Sequence, residues 1–307
     1  NASHRFRMTQ AGSFILATRP KTLPASLGPI AVAFSLTYSM TRQVDWLILF
    51  SALFTFLGLQ ITVNIFNDVL DFKKGADTTA RLGFQRVTQS GLLSPRQVTF
   101  FGFLFLTLSV IAAIPMMSKG GMPIFWVTVF ASMGAYIYTG GPFPLAYHGL
   151  GELFVLIFYG YAAVLSLYYI ETKDVTYAAF LAATQIGIYV AAIITMNNMR
   201  DIVEDGRSNK RTLAVRLGEN KFKRIIAFSL ISPYILGLFW IPLNQSFSFW
   251  LPLLLLPFSW SFMKTVLKTP PSRAYNGFLA KCALLQLLFG AFLALSFILP
   301  SAKSLAF

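Results

Sequence analysis

The sequence is poor in cysteine, histidine and acidic residues. Cys282 is the single cysteine among 307 residues, His4 and His148 are the only histidines, and Asp and Glu together number 11. This composition excludes a disulfide framework and a zinc site built from paired Cys and His ligands. A Gly-x-x-x-x-Gly-Lys-Ser/Thr phosphate-binding loop is also absent. No basic stretch is followed by a cleavable apolar segment, so we expect no signal peptide.

Apolar residues are abundant instead. They make up 56% of the chain, and Phe alone occurs 31 times. They form runs of about 20 residues, which is the length that a helix needs to cross a bilayer. We therefore predict an all-α, polytopic membrane protein with a single intramembrane domain over residues 1–307. Nine spans are expected, at 23–41, 46–67, 97–118, 122–139, 150–170, 175–198, 222–242, 247–267 and 277–299.

Lys and Arg are distributed unequally between the two sides of these spans. All but four of the 25 lie before the first span or after the second, fourth, sixth and eighth; the exceptions are Arg42, Lys119, Lys173 and Lys303. The positive-inside rule then predicts a cytoplasmic N-terminus and, with nine spans, an external C-terminus in a bacterial plasma (inner) membrane. The rule accounts for most of the net charge of +14, so we predict no nucleic-acid partner. Contact with anionic membrane lipid is expected.

The first of two acidic segments, 64–77, begins within the second predicted span. Asn64, Asn67, Asp68 and Asp71 are spaced i, i+3, i+4 and i+7, which places them on one face if the helix continues to Asp71. Such side chains at a membrane helix end indicate a functional site, with a solvated helix end as the alternative. Oxygen-only ligands suit a hard cation such as Mg²⁺, which usually also binds substrate phosphates.

The second acidic segment, 197–205, follows the sixth predicted span. Asn197, Asp201 and Asp205 recur every four residues on one stripe, and Asn198 stands beside the first of them. The two segments form a weak internal repeat, which suggests two related halves. The predicted topology brings both segments to the cytoplasmic side, where we expect them at a water-accessible opening of the bundle and not in the packed core. Together they could hold two or more Mg²⁺ ions.

Basic residues share the loops of the two acidic segments. This mixture suits a polyphosphate, because the acids hold a metal, the metal holds the phosphate, and Lys and Arg take the remaining oxygens. The surrounding helices are rich in Phe, Leu and Tyr, so the sequence indicates a lipid diphosphate and most simply a prenyl diphosphate. Neutralising the developing charge makes the diphosphate a better leaving group. The basic residues are Lys73, Lys74, Arg81, Arg86, Arg200, Arg207, Lys210 and Arg211.

Ionisation of a prenyl diphosphate leaves an allylic cation, which aromatic faces could stabilise. Tyr136, Tyr138 and Phe158 are candidates by cation–π interaction. Packing or an interfacial aromatic belt is the alternative for each of them. The turn-rich loop 138–144 lies on the same predicted side as the acidic segments, so we expect it to line the substrate site.

Taken together, the two acidic motifs resemble those of the UbiA superfamily of intramembrane aromatic prenyltransferases. Further stretches resemble the MenA-type branch, which prenylates 1,4-dihydroxy-2-naphthoate. The resemblance implies a nine-helix bundle around a central cavity, and Mg²⁺-dependent transfer of a polyprenyl group from polyprenyl diphosphate to an aromatic carbon. In this branch the ring carboxylate is lost as CO₂, giving demethylmenaquinone for menaquinone biosynthesis. The supporting stretches are 19–24, 86–91, 149–153 and 210–218.

The resemblance also implies roles for individual residues. Asp68, Asp71, Asp201 and Asp205 match the carboxylates that hold metal and diphosphate, and they are the expected catalytic residues. Where the superfamily often has a further Asp, this chain has Gly75, and Asp77 is the expected substitute. The side chains expected to contact substrate or diphosphate are Asn64, Asn67, Lys73, Arg86, Tyr138, Asn197, Asn198 and Lys210.

Three other functions stay open at this point. A sister enzyme would prenylate 4-hydroxybenzoate or another aromatic quinone precursor. A transporter of an anionic lipid or metabolite would also place polar residues in membrane helices, but here most acids lie at one face, with no relay across the membrane. A phospholipid phosphotransferase would carry an Asp-Gly-x-x-Ala-Arg motif, which is absent.

Overall fold

The computed structural model describes residues 9–77 and 81–299. Residues 1–8 and 300–307 lie outside these ranges. They include Arg5, Arg7 and Lys303, which were counted in the distribution of Lys and Arg, and both termini, whose locations were predicted. All regular elements in the described ranges are helices, as predicted. The α-helices are α1 (Gln10–Thr18), α2 (Leu27–Thr41), α3 (Trp46–Lys73), α4 (Pro95–Ala112), α5 (Ile114–Gly120), α6 (Met122–Ile137), α7 (Gly151–Val155), α8 (Ala163–Thr172), α9 (Tyr177–Arg200), α10 (Ile202–Arg207), α11 (Leu213–Leu236), α12 (Phe247–Leu253), α13 (Leu256–Lys268) and α14 (Tyr275–Ile298).

Seven helical segments in the described ranges are long and apolar enough to cross a membrane. The pair α12 and α13, which is bent by 48°, can count as an eighth. The predicted fourth span corresponds to α6, which has only 16 residues, so the count of nine is approximate. Large apolar side chains such as Phe54, Phe100 and Phe258 are exposed along these helices. Apolar side chains that face outward suit a lipid environment. The chain is therefore an integral membrane protein.

Two predicted spans are interrupted or extended in ways that shape the site. The second continues past residue 67 as one helix to Lys73, so the polar side chains at its end are helical. The fifth contains a π-helical segment, Leu156–Ala162, between α7 and α8. Such segments are rare and occur frequently at functional sites.

Helix α9 lies at the centre of the bundle, packed against α2, α11, α14 and the π-helical segment. Glycines permit a close crossing with the π-helical segment: a Cβ added to Gly160 would lie 2.9 Å from the Cα of Gly187. Helices α2 and α14 approach in the same way, since a Cβ on Gly290 would lie 3.0 Å from the Cα of Gly28. Small residues that let backbones approach closely are typical of packing between membrane helices.

Contacts between loops define two polar ends of the bundle. At one end, which we call the motif end, Arg81 contacts Asp201 and Lys74 donates to the carbonyl of Thr139. These contacts join the loops after α3, α6 and α9 on one side, as the predicted topology requires. At the opposite end Lys119 bridges Asp45 and Glu171 at 2.7 Å each.

Candidate functional site

Asp68 holds the turn that follows the first acidic segment. Its Oδ2 accepts the backbone N–H of Val87 and its Oδ1 accepts that of Thr88, each at 3.0 Å. The turn closes with a bond from the Ser90 N–H to the Arg86 carbonyl and with Gly91 at a φ of +70°. Both oxygens of Asp68 are therefore engaged by backbone.

Arg86 projects from this turn into the face of α3. Its Nη2 donates to Asn67 Oδ1 at 2.9 Å and to Asp71 Oδ2 at 3.3 Å, and its Nε lies 3.5 Å from Asp77 Oδ2. Asn67, Asp71 and Asp77 therefore all contact the Arg86 guanidinium. The guanidinium links the last turn of α3 to the loop beyond it.

Two cations join the first acidic segment to the second. Lys210 Nζ lies 3.3 Å from Asp71 Oδ2 and 3.8 Å from Asp205 Oδ1. Arg81 pairs with Asp77 and reaches Asp201 Oδ2 at 3.4 Å. The two segments therefore meet in space, in one alternating network of carboxylates and cations.

Asp201 is held mainly by its neighbour Arg200. The guanidinium donates Nε to Oδ1 and Nη2 to Oδ2, both at 2.7 Å. Arg200 also donates to Asn197 Oδ1 at 2.7 Å and to Asn276 Oδ1 at 2.8 Å. Asp201 caps α9 at the break before α10, so the predicted stripe from Asn197 to Asp205 bends at this point.

Tyr147 and Lys74 belong to the cluster, although no role for Tyr147 was predicted. Tyr147 donates its hydroxyl to Asp71 Oδ1 at 2.8 Å, and Lys74 Nζ lies 4.5 Å from the centre of the Tyr147 ring. Burial and Asp71 raise the pKa of Tyr147, which therefore stays a donor. Lys73, predicted to contact substrate or diphosphate, is exposed and joins none of these contacts within the described ranges.

The prediction that the acidic side chains are exposed to water at an opening of the bundle is wrong. Asp71 is 0% exposed, Asp68 2% and Asp201 4%. Burial raises the pKa of Asp77 and that of Asp205 to about 6.

For Lys210 and Asp201, neighbouring charges outweigh the effect of burial on the pKa. Burial alone would lower the pKa of Lys210, but Asp71 and Asp205 raise it above the ordinary value. Burial works to raise the pKa of Asp201, but the hydrogen bonds and charge of Arg200 lower it on balance. Lys210 and Asp201 are therefore both charged at neutral pH.

A cavity of about 1050 Å³ opens beside this network. It is lined by all of the predicted contact residues except Lys73. Glu152, Thr22 and Gln60 also line it, and sequence reasoning gave them no role. The predicted residues in its wall are Asn64, Asn67, Arg86, Tyr138, Asn197, Asn198 and Lys210.

Arg19 and Arg86 in the wall of this cavity, and Arg81 in the wall of a neighbouring pocket, each carry a buried nitrogen without a hydrogen-bond partner in the described ranges. These atoms are Arg19 Nη2, Arg81 Nε and Arg86 Nη1. A buried charged donor left unpaired is costly, so the arrangement suits an anion with several oxygens. Arg19 was missed as a site residue because its place in the sequence, before a proline, resembles an ordinary loop cation.

A second, apolar cavity of about 730 Å³ adjoins the first. The two share Gln60, Val63, Phe154 and Tyr159 in their walls. The predicted aromatic candidates separate here. Phe158 lines the apolar cavity and Tyr138 the polar one. Tyr136 instead packs on Phe66, with ring centres 5.2 Å apart, and is part of the wall of neither.

The donor set fits Mg²⁺ with few protein ligands. Among the residues that the structure describes, no three Asp, Glu, His or Cys side chains converge into a metal cage. Mg²⁺ usually takes only one or two carboxylates, with waters and substrate phosphates completing its shell. Asp71 with Asn67, and Asp205 with Asp201, provide that number on two sides of Lys210. Lone pairs remain on the carboxylates beyond their present contacts.

Comparison with known proteins agrees with this architecture. Residues 26–288 match the model of the UbiA prenyltransferase family. The 1,4-dihydroxy-2-naphthoate octaprenyltransferase of Bacillus subtilis is 32% identical over 221 residues, covering 71% of this chain and 70% of that protein. The enzyme of the same name from Escherichia coli is 31% identical over 258 residues, 82% of this chain and 83% of that protein.

A solved structure has the same fold. The UbiA homologue from Archaeoglobus fulgidus, bound to DMAPP and Mg²⁺, superposes with a TM-score of 0.65 over 94% of this chain and 100% of that one, at 15% identity. The family model covers most of the sequence, and the sequence relatives cover more than two thirds of it. This chain belongs to the UbiA prenyltransferase family.

Proposed function

We propose that this protein transfers a polyprenyl group from polyprenyl diphosphate to 1,4-dihydroxy-2-naphthoate, with loss of CO₂, in menaquinone biosynthesis. The observation that carries the proposal is the group of unpaired guanidinium nitrogens of Arg19, Arg81 and Arg86 beside two acidic segments joined by Lys210. Such a site suits a metal-bound diphosphate. The names of the Bacillus and Escherichia relatives support the aromatic acceptor.

The donor would lie across both cavities. Its diphosphate takes hydrogen bonds from Arg19, Arg86 and Lys210, which line the polar cavity, while its apolar chain follows the cavity lined by Phe56, Leu59 and Phe158. Asp71 with Asn67, and Asp201 with Asp205, would hold Mg²⁺, and Asp77 is a further candidate. Bound Mg²⁺ would stabilise the negative charge that develops on the leaving diphosphate.

The reaction is an electrophilic substitution on the ring. The bond from the first prenyl carbon to the diphosphate oxygen breaks, and its electron pair stays with the oxygen. The ring carbon that bears the carboxylate bonds to the prenyl carbon. Loss of CO₂ then returns a pair to the ring, which leaves the quinol form of demethylmenaquinone. Tyr138 lies in the wall of the polar cavity, where its ring face could stabilise the developing cation.

We further propose that the motif end faces the cytoplasm of a bacterial plasma membrane, with the N-terminus inside and the C-terminus outside. The distribution of Lys and Arg supports this orientation. Arg81 and Asp201 join loops at the motif end, and Lys119 and Asp45 join loops at the opposite end. These contacts group the loops in the same way as the count of Lys and Arg on the two sides. Membrane lipid would supply the surroundings of the prenyl chain, and the whole chain would act as one intramembrane domain.

The proposal is tested with the purified protein in lipid vesicles. Dihydroxynaphthoate and 4-hydroxybenzoate are offered together with a polyprenyl diphosphate, and products are identified by mass spectrometry. We expect the decarboxylated naphthoquinol product alone, abolished by EDTA and restored by Mg²⁺. Turnover that survives chelation would overturn the metal role, and a benzoate product would assign the other acceptor. Uptake of unchanged substrate into vesicles would instead identify a transporter.

A further inference from the structure

Glu152 is a buried acid that the proposed diphosphate chemistry leaves unused. It lies in the first turn of α7, is 9% exposed, and lines the polar cavity. Its Oε1 accepts a hydrogen bond from Asn198 Nδ2 at 2.8 Å. Its Oε2 is buried and has no hydrogen-bond partner in the described ranges.

The surroundings of Glu152 differ from those of the aspartates. Asp71, Asp77, Asp201 and Asp205 each lie within ion-pair distance of Lys or Arg, whereas Glu152 takes part in none of the ion pairs of the described residues. Neighbouring cavity walls are formed by aromatic and aliphatic side chains, including Phe154 and Tyr159. A metal ion or other cation would therefore bind to the aspartate cluster in preference to Glu152.

An unpaired carboxylate oxygen calls for a hydrogen-bond donor, because burying it without one is costly. The two substrates of the proposed reaction differ in this respect. An ionised prenyl diphosphate offers only acceptor oxygens, whereas the aromatic acceptor carries hydroxyl groups that donate. A hydroxyl group of the aromatic substrate therefore suits the free oxygen, whereas the diphosphate does not.

Asn198 holds Glu152 in place. It was predicted to contact substrate or diphosphate, and in the structure its amide nitrogen donates to Glu152 Oε1. Both side chains belong to elements that pack together, since α7 contacts α9. The free oxygen is therefore oriented before the substrate arrives, and preorganised groups bind more strongly because less ordering accompanies binding.

We propose that Glu152, held by Asn198, is the recognition site for a hydroxyl group of the aromatic acceptor, with Oε2 accepting its hydrogen bond. This inference rests on the proposed function. It separates the cavity into a cationic part for the diphosphate and a Glu152 part for the aromatic ring. A hydroxyl bound to a carboxylate also donates more electron density to the ring, which favours attack on the prenyl carbon.

The experiment measures acceptor binding without turnover. Dihydroxynaphthoate, 1-hydroxy-2-naphthoate and 4-hydroxy-2-naphthoate are titrated by calorimetry into wild-type protein and Glu152→Gln, without prenyl donor. We expect Glu152→Gln to bind dihydroxynaphthoate about 10- to 100-fold more weakly, because it loses a hydrogen bond to a charged group. The analogue that lacks the recognised hydroxyl should bind both proteins equally, as a double-mutant cycle requires for a direct contact.

The matched control is Glu171→Gln. Glu171 lies at the far end of the same span, where it pairs with Lys119, so the same chemical change is made away from the cavity. Glu152→Met removes both oxygens and guards against an amide flip that would restore an acceptor. Thermal unfolding identifies any variant that fails to fold. In that case the binding of the two monohydroxy analogues to the wild-type protein is compared. Equal affinities would show that neither hydroxyl group is recognised.

The outcomes distinguish the two proposals. Unchanged binding in both Glu152 variants would show that Oε2 accepts no hydrogen bond from the acceptor. Equal weakening for all three ligands would show a structural role. Either result overturns the inference. If wild-type protein binds dihydroxynaphthoate but forms no prenylated product with donor and Mg²⁺, the proposed function fails instead.

Discussion

Lys210 Nζ lies 3.3 Å from Oδ2 of Asp71, a residue 139 positions earlier in the chain. The same nitrogen lies 3.8 Å from Oδ1 of Asp205. One ammonium group therefore joins the two acidic segments, which arise from different helices. A diphosphate bound at this point would be flanked by carboxylates from both segments.

We expect Asp71→Ala and Asp205→Ala to be strongly non-additive. Each single change should lower turnover by about 100-fold or more, as loss of electrostatic stabilisation does elsewhere. Because both carboxylates serve one leaving group, the double variant should be little slower than the worse single variant. Turnover is measured at saturating Mg²⁺, with Asp174→Ala at the opposite end as the control. Losses that simply multiply would indicate two independent sites.

Asp68→Asn should act through the turn and not through the metal. An amide at this position places a donor against one of the backbone N–H groups of Val87 and Thr88, so the turn loosens and Arg86 loses its support. Hydrogen exchange at these two amides should rise, and the KM for prenyl diphosphate should increase about 10-fold, the scale of one lost hydrogen bond. The Mg²⁺ concentration for half-maximal rate should be unchanged. A shift in that concentration would return Asp68 to the metal ligands.

Asp201→Asn should lower stability as well as turnover. Arg200 is 2% exposed, and its bidentate partner would become a neutral amide that can accept only on one side. We expect a loss of about 1–3 kcal/mol in the free energy of unfolding. Glu204→Gln, a change on the same short segment at a half-buried side chain, is the control and should stay near wild type. Thermal denaturation in detergent compares them, and equal midpoints would contradict a structural role for the Arg200–Asp201 pair.

Gly290→Ala should destabilise the bundle, whereas Gly277→Ala should not. Both glycines lie in α14, but a Cβ on Gly290 would lie 3.0 Å from the Cα of Gly28, and one on Gly277 would meet nothing within 4 Å. Overpacking of this kind costs about 1–3 kcal/mol, and alanine at the open position is neutral or slightly favourable for the helix. Unfolding midpoints of the two variants decide this. Similar midpoints would show that α2 and α14 can separate freely.

The sequence by itself determined the class of fold and the placement of the two acidic segments at one end of the bundle. Apolar runs and i, i+4 spacing are local properties, because a helix must satisfy its own backbone and its side chains repeat every 3.6 residues. The helical stripe from Asn64 to Asp71 therefore follows from spacing alone. Charge bias and span order were enough to predict that it would meet the segment ending at Asp205.

Only the tertiary structure decided what each polar side chain does. Lys74 and not Lys73 reaches Tyr147, Asp68 binds backbone, and Asn198 binds Glu152. These assignments depend on how the spans rotate and pack, because each partner lies across a loop or on another helix. The burial of the acids has the same origin. A residue at the end of a span is exposed or enclosed according to the neighbouring loops that cover it, and helical periodicity carries no information about those loops.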